Sequence, residues 1–180
     1  MKAFSRTIIG VVLAFFVWNH PVLAEDTQRA PFSIGDIEFL GNEPSYLDLG
    51  AGAFNFNDDE TSAAGYIEYR YGKKLLFIGP VIGLMANTDG GVFGYGGIYA
   101  NLKYQKLIIT PLATLGGYHQ GGSKDLGGTF QFKTGINFAY QFDGGSRLGI
   151  RLAHVSNANI HDRNPGENEI FLTYALPLAF

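Results

Sequence analysis

Between positions 130 and 142 the even-numbered residues are Phe130, Phe132, Thr134, Ile136, Phe138, Tyr140 and Phe142. The residues between them are Gln131, Lys133, Asn137 and Gln141, with small Gly135 and Ala139. A strict period of two belongs to a β-strand, whose successive side chains point to opposite faces. The register returns at the end of the chain, where Ile170, Leu172, Tyr174, Leu176, Leu178 and Phe180 are all apolar. Such segments make strands with one oily and one polar face, and that pairing of faces restricts the folds open to the chain.

From about residue 45 onward there is almost no helical period. Runs of aromatic and β-branched residues are punctuated by Gly, Asn, Asp and Lys turn signals. The pattern predicts eight strands, at about 45–56, 63–71, 75–86, 92–103, 106–118, 128–142, 146–157 and 168–180. An even set of long strands predicts an all-β fold, a closed antiparallel barrel. Alternation alone does not say which face is inside, because a soluble lipocalin-like barrel would turn the apolar face inward. Three features place that face in lipid instead. The alternating segments reach the ten or so residues that a spanning strand needs, aromatics lie towards strand ends, and Phe180 ends an apolar register resembling the C-terminal sorting strand of bacterial outer-membrane proteins. The expectation is an eight-stranded antiparallel transmembrane β-barrel of outer-membrane type. The glycines of "GGVFGYGGIYANL" (90–102) then serve tight curvature, since the strand, turn and helix order of a nucleotide loop is missing.

The chain opens MKAFSRTIIGVVLAFFVWNHPVLA. Lys2 and Arg6 precede an apolar run from Ile8 to Trp18, and Val22 and Ala24 supply the small residues a signal peptidase needs. The run is shorter than the ~20 residues of a spanning helix. The expected organisation is a signal peptide at 1–24, an N-terminal periplasmic segment at 25–44 and the barrel at 45–180. Loss of Lys2 and Arg6 with the leader leaves 11 basic against 16 acidic residues, a net charge of −5, which argues against a nucleic-acid partner. There is no cysteine, so disulfide stapling, a CxxC zinc site and a thiol nucleophile are excluded.

In a barrel of this type both termini are periplasmic, turns on that side are short and outer loops are longer. "GKK" (72–74), "YQ" (104–105) and "GGS" (144–146) are tight. "NDDETS" (57–62), the "NTDGG" region (87–91), "HQGGSKDLGG" (119–128) and the segment after Asn157 are longer. The seventh strand therefore runs outward. On it Leu148, Ile150, Leu152, His154 and Ser156 share one face, and His154 and Ser156 lie about 6.7 Å apart along a strand. A lipid-facing stripe thus turns polar at its outer end, where polar groups carry a desolvation cost. Alternatively, the strand ends early and both residues begin a solvated loop.

Serine is a weak nucleophile until a neighbouring base takes its proton, and a histidine can do so near neutrality. A third group orients the imidazole and donors stabilise the oxyanion. Asn157, Asn164 and the backbone around Gly166 are candidate donors. Glu167, Asn168 and Glu169 are candidate orienting groups, of which Asn168 shares the face of Ser156 while the glutamates point the other way if the strand is regular. His119 and His161 fall in outer loops and read as solvated loop residues; Lys124, Arg163 and the loop acids are available to phosphates or bridging cations, and surface charge needed for solubility explains them equally well. Lys133, Arg147 and Arg151 belong to the opposite, lumenal face. The residues alone indicate a surface esterase acting on something in the outer leaflet.

"HVSNANIHDRNPGEN" (154–168) resembles the signature of the PagL-type lipid A 3-O-deacylase family, whose members are eight-stranded outer-membrane barrels. The resemblance implies Ser156 as nucleophile, His154 as general base, and Asn157, Asn164 and the Gly166 amide as the oxyanion site. The family's acid falls on Asn168, a departure that leaves the orienting role to Asn168 as a neutral partner or to a neighbouring glutamate such as Glu167. The implied substrate is lipid A, that is lipopolysaccharide, in outer-membrane lipid, with no cofactor and no metal; a homodimer is left open. A non-enzymatic adhesin or structural barrel, and an esterase of phospholipids in the same leaflet, are the alternatives.

Overall fold

The structure is a computed structural model that describes residues 30–178. The expected signal peptide and Phe180 lie outside the described residues. Eleven strands follow in chain order: β1 Phe32–Ile34, β2 Ile37–Phe39, β3 Ser45–Phe54, β4 Ser62–Arg70, β5 Ile78–Asn87, β6 Val92–Ala100, β7 Leu102–Tyr104, β8 Leu107–His119, β9 Phe130–Gln141, β10 Arg147–Ser156 and β11 Glu167–Leu178. Every pairing is antiparallel. β6 and β7 both pair with β8 and together make one wall strand, interrupted at Asn101. The ring runs β3, β4, β5, β6 with β7, β8, β9, β10 and β11, and closes where β11 pairs with β3. This is the eight-stranded closed barrel expected from the alternation, with strand boundaries mostly within two or three residues of those expected.

The two faces separate as the period of two requires. On β10 the outward Ile150 is 53% exposed and the neighbouring inward Arg151 is 0% exposed. An outer wall of Ile67, Ile82, Leu84, Ile98, Leu115, Phe138, Leu148, Ile150 and Leu172 surrounds a lumen that eight strands leave only wide enough for side chains. At mid-height Arg151 donates to both oxygens of Glu68, at 2.9 Å each, and to Asp48 at 3.2 Å. Arg70 bonds Glu68 at 2.8 Å and also pairs with Asp48. The hydroxyls of Tyr66 and Tyr95 donate to the same two carboxylates at 3.0 Å. Lys133 meets Glu169 at 2.8 Å, as Arg147 meets Glu43. The desolvation of each charge is offset by a partner of opposite sign, and in the cluster of Arg151, Arg70, Glu68 and Asp48 by further hydrogen bonds as well.

Inward glycines let adjacent strands coil closely. A Cβ on Gly116 would stand 2.0 Å from the Gly94 carbonyl oxygen, against backbone that has no rotamer to yield. Gly116→Val is therefore expected to cost about 3 kcal/mol or more, read as a lower urea midpoint for loss of the folded band on unheated gels; an unchanged midpoint would refute the close approach.

Two features depart from the sequence expectation. The N-terminal segment holds a hairpin: β1 pairs with β2, β2 pairs with β7, and Phe32, Phe39 and Phe77 form one aromatic cluster. The segment then enters the barrel, where Glu43 contacts Asn101, Lys74 and Arg147, and Asn101 accepts from Thr110 at 2.6 Å. These contacts explain the break between β6 and β7. Burial pushes the Glu43 carboxyl up, but Arg147 and Lys74 outweigh it and hold it below the ordinary carboxylate range. Secondly, β5 starts at Ile78 rather than 75. Leu75 and Ile78 exchange backbone hydrogen bonds at 2.9 and 3.0 Å, and Leu76 adopts φ +60°, so these residues form the turn itself.

Candidate active site

His154 and Ser156 lie at the end of β10, on the outer face that carries Leu148, Ile150 and Leu152. The strand extends through Ser156, so the alternative of an early loop is not what the fold adopts. In register His154 stands between Asn168 of β11 and Thr134 of β9, and Ser156 is opposite Phe132. The Nδ1 of His154 is 2.9 Å from Oδ1 of Asn168. Asn168 Nδ2 in turn donates to Oδ1 of Asn57 at 3.1 Å. Asn57 belongs to the β3–β4 loop, and no spacing in the sequence pointed to it.

Of the three orienting candidates, Asn168 alone meets the imidazole. β11 is already regular at Glu167, so the two glutamates turn into the lumen. Glu167 accepts the Asn55 backbone N–H at 3.0 Å, and Glu169 pairs with Lys133. Glu167 thus faces away from His154, and its carboxylate anchors the β3–β4 loop from behind.

The oxyanion candidates also divide. Asn157 is fully buried and its donors are engaged. Its Nδ2 donates to the carbonyls of Leu126 at 2.9 Å and Arg163 at 2.6 Å, and its backbone N–H donates to Asn164 Oδ1 at 2.9 Å. Its Oδ1 accepts from Asn159 N–H at 3.0 Å, and Ile160 N–H bonds its carbonyl at 3.0 Å. With φ of +52° at Ala158 and +62° at Asn159, residues 157–160 make a type I′ turn. Asn157 thus shapes the loop rather than offering a free donor. Asn164 is different: its Oδ1 is fixed by Asn157, and its Nδ2 has no partner among the described residues.

Gly166 completes the approach to the histidine. It has φ +61°, and a Cβ there would lie 3.1 Å from His154 Cε1 and 3.4 Å from Nε2. The Nε2 edge therefore faces the β10–β11 loop. Beside it, Phe56, Thr134, Ile136, Leu152, His154 and Asn168 line a groove of about 490 Å³ in the outer wall. A long apolar chain can lie in such a groove with its polar end at the histidine.

The other singled-out residues are occupied elsewhere. Lys124 donates to Asn55 Oδ1 at 3.1 Å and Asp58 Oδ2 at 2.7 Å, Arg163 pairs with Asp125, and the His161 ring packs against Gly128.

A closed eight-stranded barrel with an apolar outer wall, carrying His154 and Ser156 on that face at the end of β10, defines a class, the small outer-membrane-type barrels. Residues 18–177 match the family described as lipid A 3-O-deacylase (PagL), and the chain belongs to that family. It is 39% identical over 51 residues to the lipid A deacylase PagL of Bordetella bronchiseptica; the match spans 28% of this chain and 29% of that relative. The fold superposes on the crystal structure of the outer membrane enzyme PagL with a TM-score of 0.57 at 16% identity, over 74% of this chain and 99% of that one. A structure from the de novo design of transmembrane β-barrels superposes equally, with a TM-score of 0.57 at 12% identity, over 76% and 97% of the two chains.

Proposed function

We propose that the protein is an outer-membrane esterase that removes the ester-linked 3-hydroxyacyl chain from the 3 position of lipid A, with Ser156 as nucleophile and His154 as general base. The observation that carries this reading is the His154–Asn168 pair beside an apolar groove on the lipid-facing wall, in a chain of the lipid A 3-O-deacylase family.

The imidazole donates its Nδ1 proton to Asn168, as in Cys-His-Asn proteases, and keeps Nε2 free to act as a base. Ser156 Oγ attacks the ester carbonyl while its proton passes to Nε2. Asn164 Nδ2 and the Gly166 N–H serve as donors to the tetrahedral oxyanion. Collapse of the intermediate sends the proton to the departing glucosamine oxygen and leaves an acyl-enzyme. Water, deprotonated by the same Nε2, then releases the 3-hydroxy fatty acid. The acyl chain lies in the groove between Ile136, Leu152 and Phe56, so the ester is presented from the outer leaflet sideways to the barrel.

Mass spectrometry of lipid A from cells expressing the wild type, beside cells expressing His154→Gln, tests the reading. Loss of one 3-hydroxyacyl group with the wild type only is expected. Intact lipid A in both, accompanied by lyso-phospholipids in the wild type, would transfer the same site to glycerophospholipid esters. Intact lipids of both kinds would leave a barrel without this activity.

A further inference from the structure

The apolar outer wall does not stop where the ring of eight strands does. Phe32 of β1 is the register partner of Phe39 in β2, Phe39 of Leu102 in β7, Leu102 of Ile109 in β8, and Ile109 of Phe138 in β9. Partners directly opposite in an antiparallel ladder share a face, and Phe138 is exposed on the outer wall. This row therefore carries the wall out of the ring and onto the N-terminal hairpin. The next row repeats the pattern. Ile34 pairs with Ile37, which one step further along the β2–β7 register is level with Tyr104; Tyr104 pairs with Leu107 and Leu107 with Tyr140. The other face of the hairpin is polar: Ser33 is the partner of Glu38 and Glu38 of Lys103, with which it forms an ion pair.

Two opposed demands meet here. Ile34 is 65% exposed, and the turn before β5 leaves Leu75 82% and Leu76 68% exposed, apolar surface that water penalises. Leu76 holds φ +60°, uncommon for a bulky side chain, and gains little packing within the protein in return. Phe77 follows it and packs on both Phe32 and Phe39, so the turn and the hairpin form one apolar shelf. The backbone has the contrary need. β1 has only β2 as a neighbour among the described residues, and hydrocarbon would leave the N–H and C=O groups of its other edge unsatisfied. The interfacial layer of a bilayer meets both needs, because apolar groups reach the acyl boundary there while polar groups stay hydrated. The level agrees: Tyr104 and Tyr140, in the row of Ile34, are exposed aromatics at the short-turn end of the wall, the place of an interfacial girdle. Lys73 is exposed at the foot of the leucine turn, a charge that suits lipid phosphates.

We propose that the N-terminal hairpin and the Leu75–Leu76 turn are a membrane-surface anchor. They lie in the phospholipid headgroup layer of the leaflet at the short-turn end of the barrel, with the shelf against the acyl boundary and the β1 edge towards water. The occupant is lipid because the shelf continues, row by row, the wall that already meets lipid. The anchor is independent of the chemistry at His154.

The chain has no cysteine, so a single introduced thiol carries a nitroxide label without competition. Labels replace Ile34, Leu76 and Ser33, through Ile34→Cys, Leu76→Cys and Ser33→Cys, in the protein folded into phosphatidylethanolamine–phosphatidylglycerol vesicles. Ile150→Cys gives the lipid reference and Asp58→Cys the water reference, and each variant is checked for the folded band on unheated gels. Collisions with oxygen, which partitions into lipid, are compared with collisions with a water-soluble nickel chelate. In Ile34→Cys and Leu76→Cys oxygen should prevail over nickel, with a ratio between those of the two references, as an interfacial depth requires. Ser33→Cys should favour nickel, like Asp58→Cys. Nickel prevailing in Ile34→Cys and Leu76→Cys as it does in Asp58→Cys would mean a hairpin hanging in water and would overturn the anchor. Shielding from both agents would mean that protein, either a second copy or another stretch of this chain, covers the shelf, and would overturn it equally.

Discussion

Ser156→Ala should lower the rate of lipid A deacylation by about 10⁴-fold or more, the scale on which serine hydrolases lose activity with their nucleophile. The barrel should remain intact. Ser156 is half-buried at the last position of β10, and its hydroxyl enters none of the hydrogen bonds that build the β10–β11 loop, which run through Asn157, Asn159, Ile160 and Asn164. The unheated gel mobility and urea midpoint should therefore match the wild type while turnover vanishes. A fluorophosphonate probe, which labels an activated serine, should mark the wild type and fail on the variant. His154→Gln should abolish labelling too, because the serine is not activated without its base. Wild-type turnover by Ser156→Ala would end the assignment.

The second large effect belongs to the lumen and leaves the chemistry aside. Arg151 bridges Glu68 and Asp48 where all three side chains are 0% exposed. Arg151→Met removes the cation and strands two carboxylates with Arg70 as their remaining guanidinium. Breaking one partner out of a buried ion cluster costs about 3–5 kcal/mol, more than the cluster contributes relative to an apolar filling. Urea titration of the protein in lipid vesicles, followed by circular dichroism, should show the midpoint fall accordingly. Lys106→Met, which breaks the exposed pair with Asp143, should leave it unmoved. If both variants kept the wild-type midpoint, the ion cluster would not be what holds the lumen closed.

The fold was largely legible because a barrel writes itself into the sequence locally: each wall strand carries its own two-faced alternation, and Phe130 to Phe142 alone shows which residues of β9 share a face. His154 and Ser156 were legible for the same reason, as a polar interruption of an apolar stripe. What escaped is held by long-range pairing. β1 and β2 are three residues each, too short to show a period, and gain their place from β7. Leu75 and Leu76 read as strand because leucine is apolar, yet Leu76 at φ +60° makes the turn. Asn57 is 111 positions from Asn168, and nothing in "NDDETS" separates a partner of Asn168 from an ordinary polar loop residue. Parity turns Glu167 away from His154, but only the regularity of β11 at its first residue decides that parity applies there.

The placement of His154 on the outer wall, rather than in the lumen, sets how the protein would meet its substrate. A molecule that enters the groove arrives by travelling within the membrane plane, so encounters scale with how many substrate molecules occupy each unit of area. Spreading the same quantity of substrate among more inert lipid would slow the reaction, although its amount per millilitre had not changed. Crowding lipid A into a smaller patch would quicken it without any alteration of the protein.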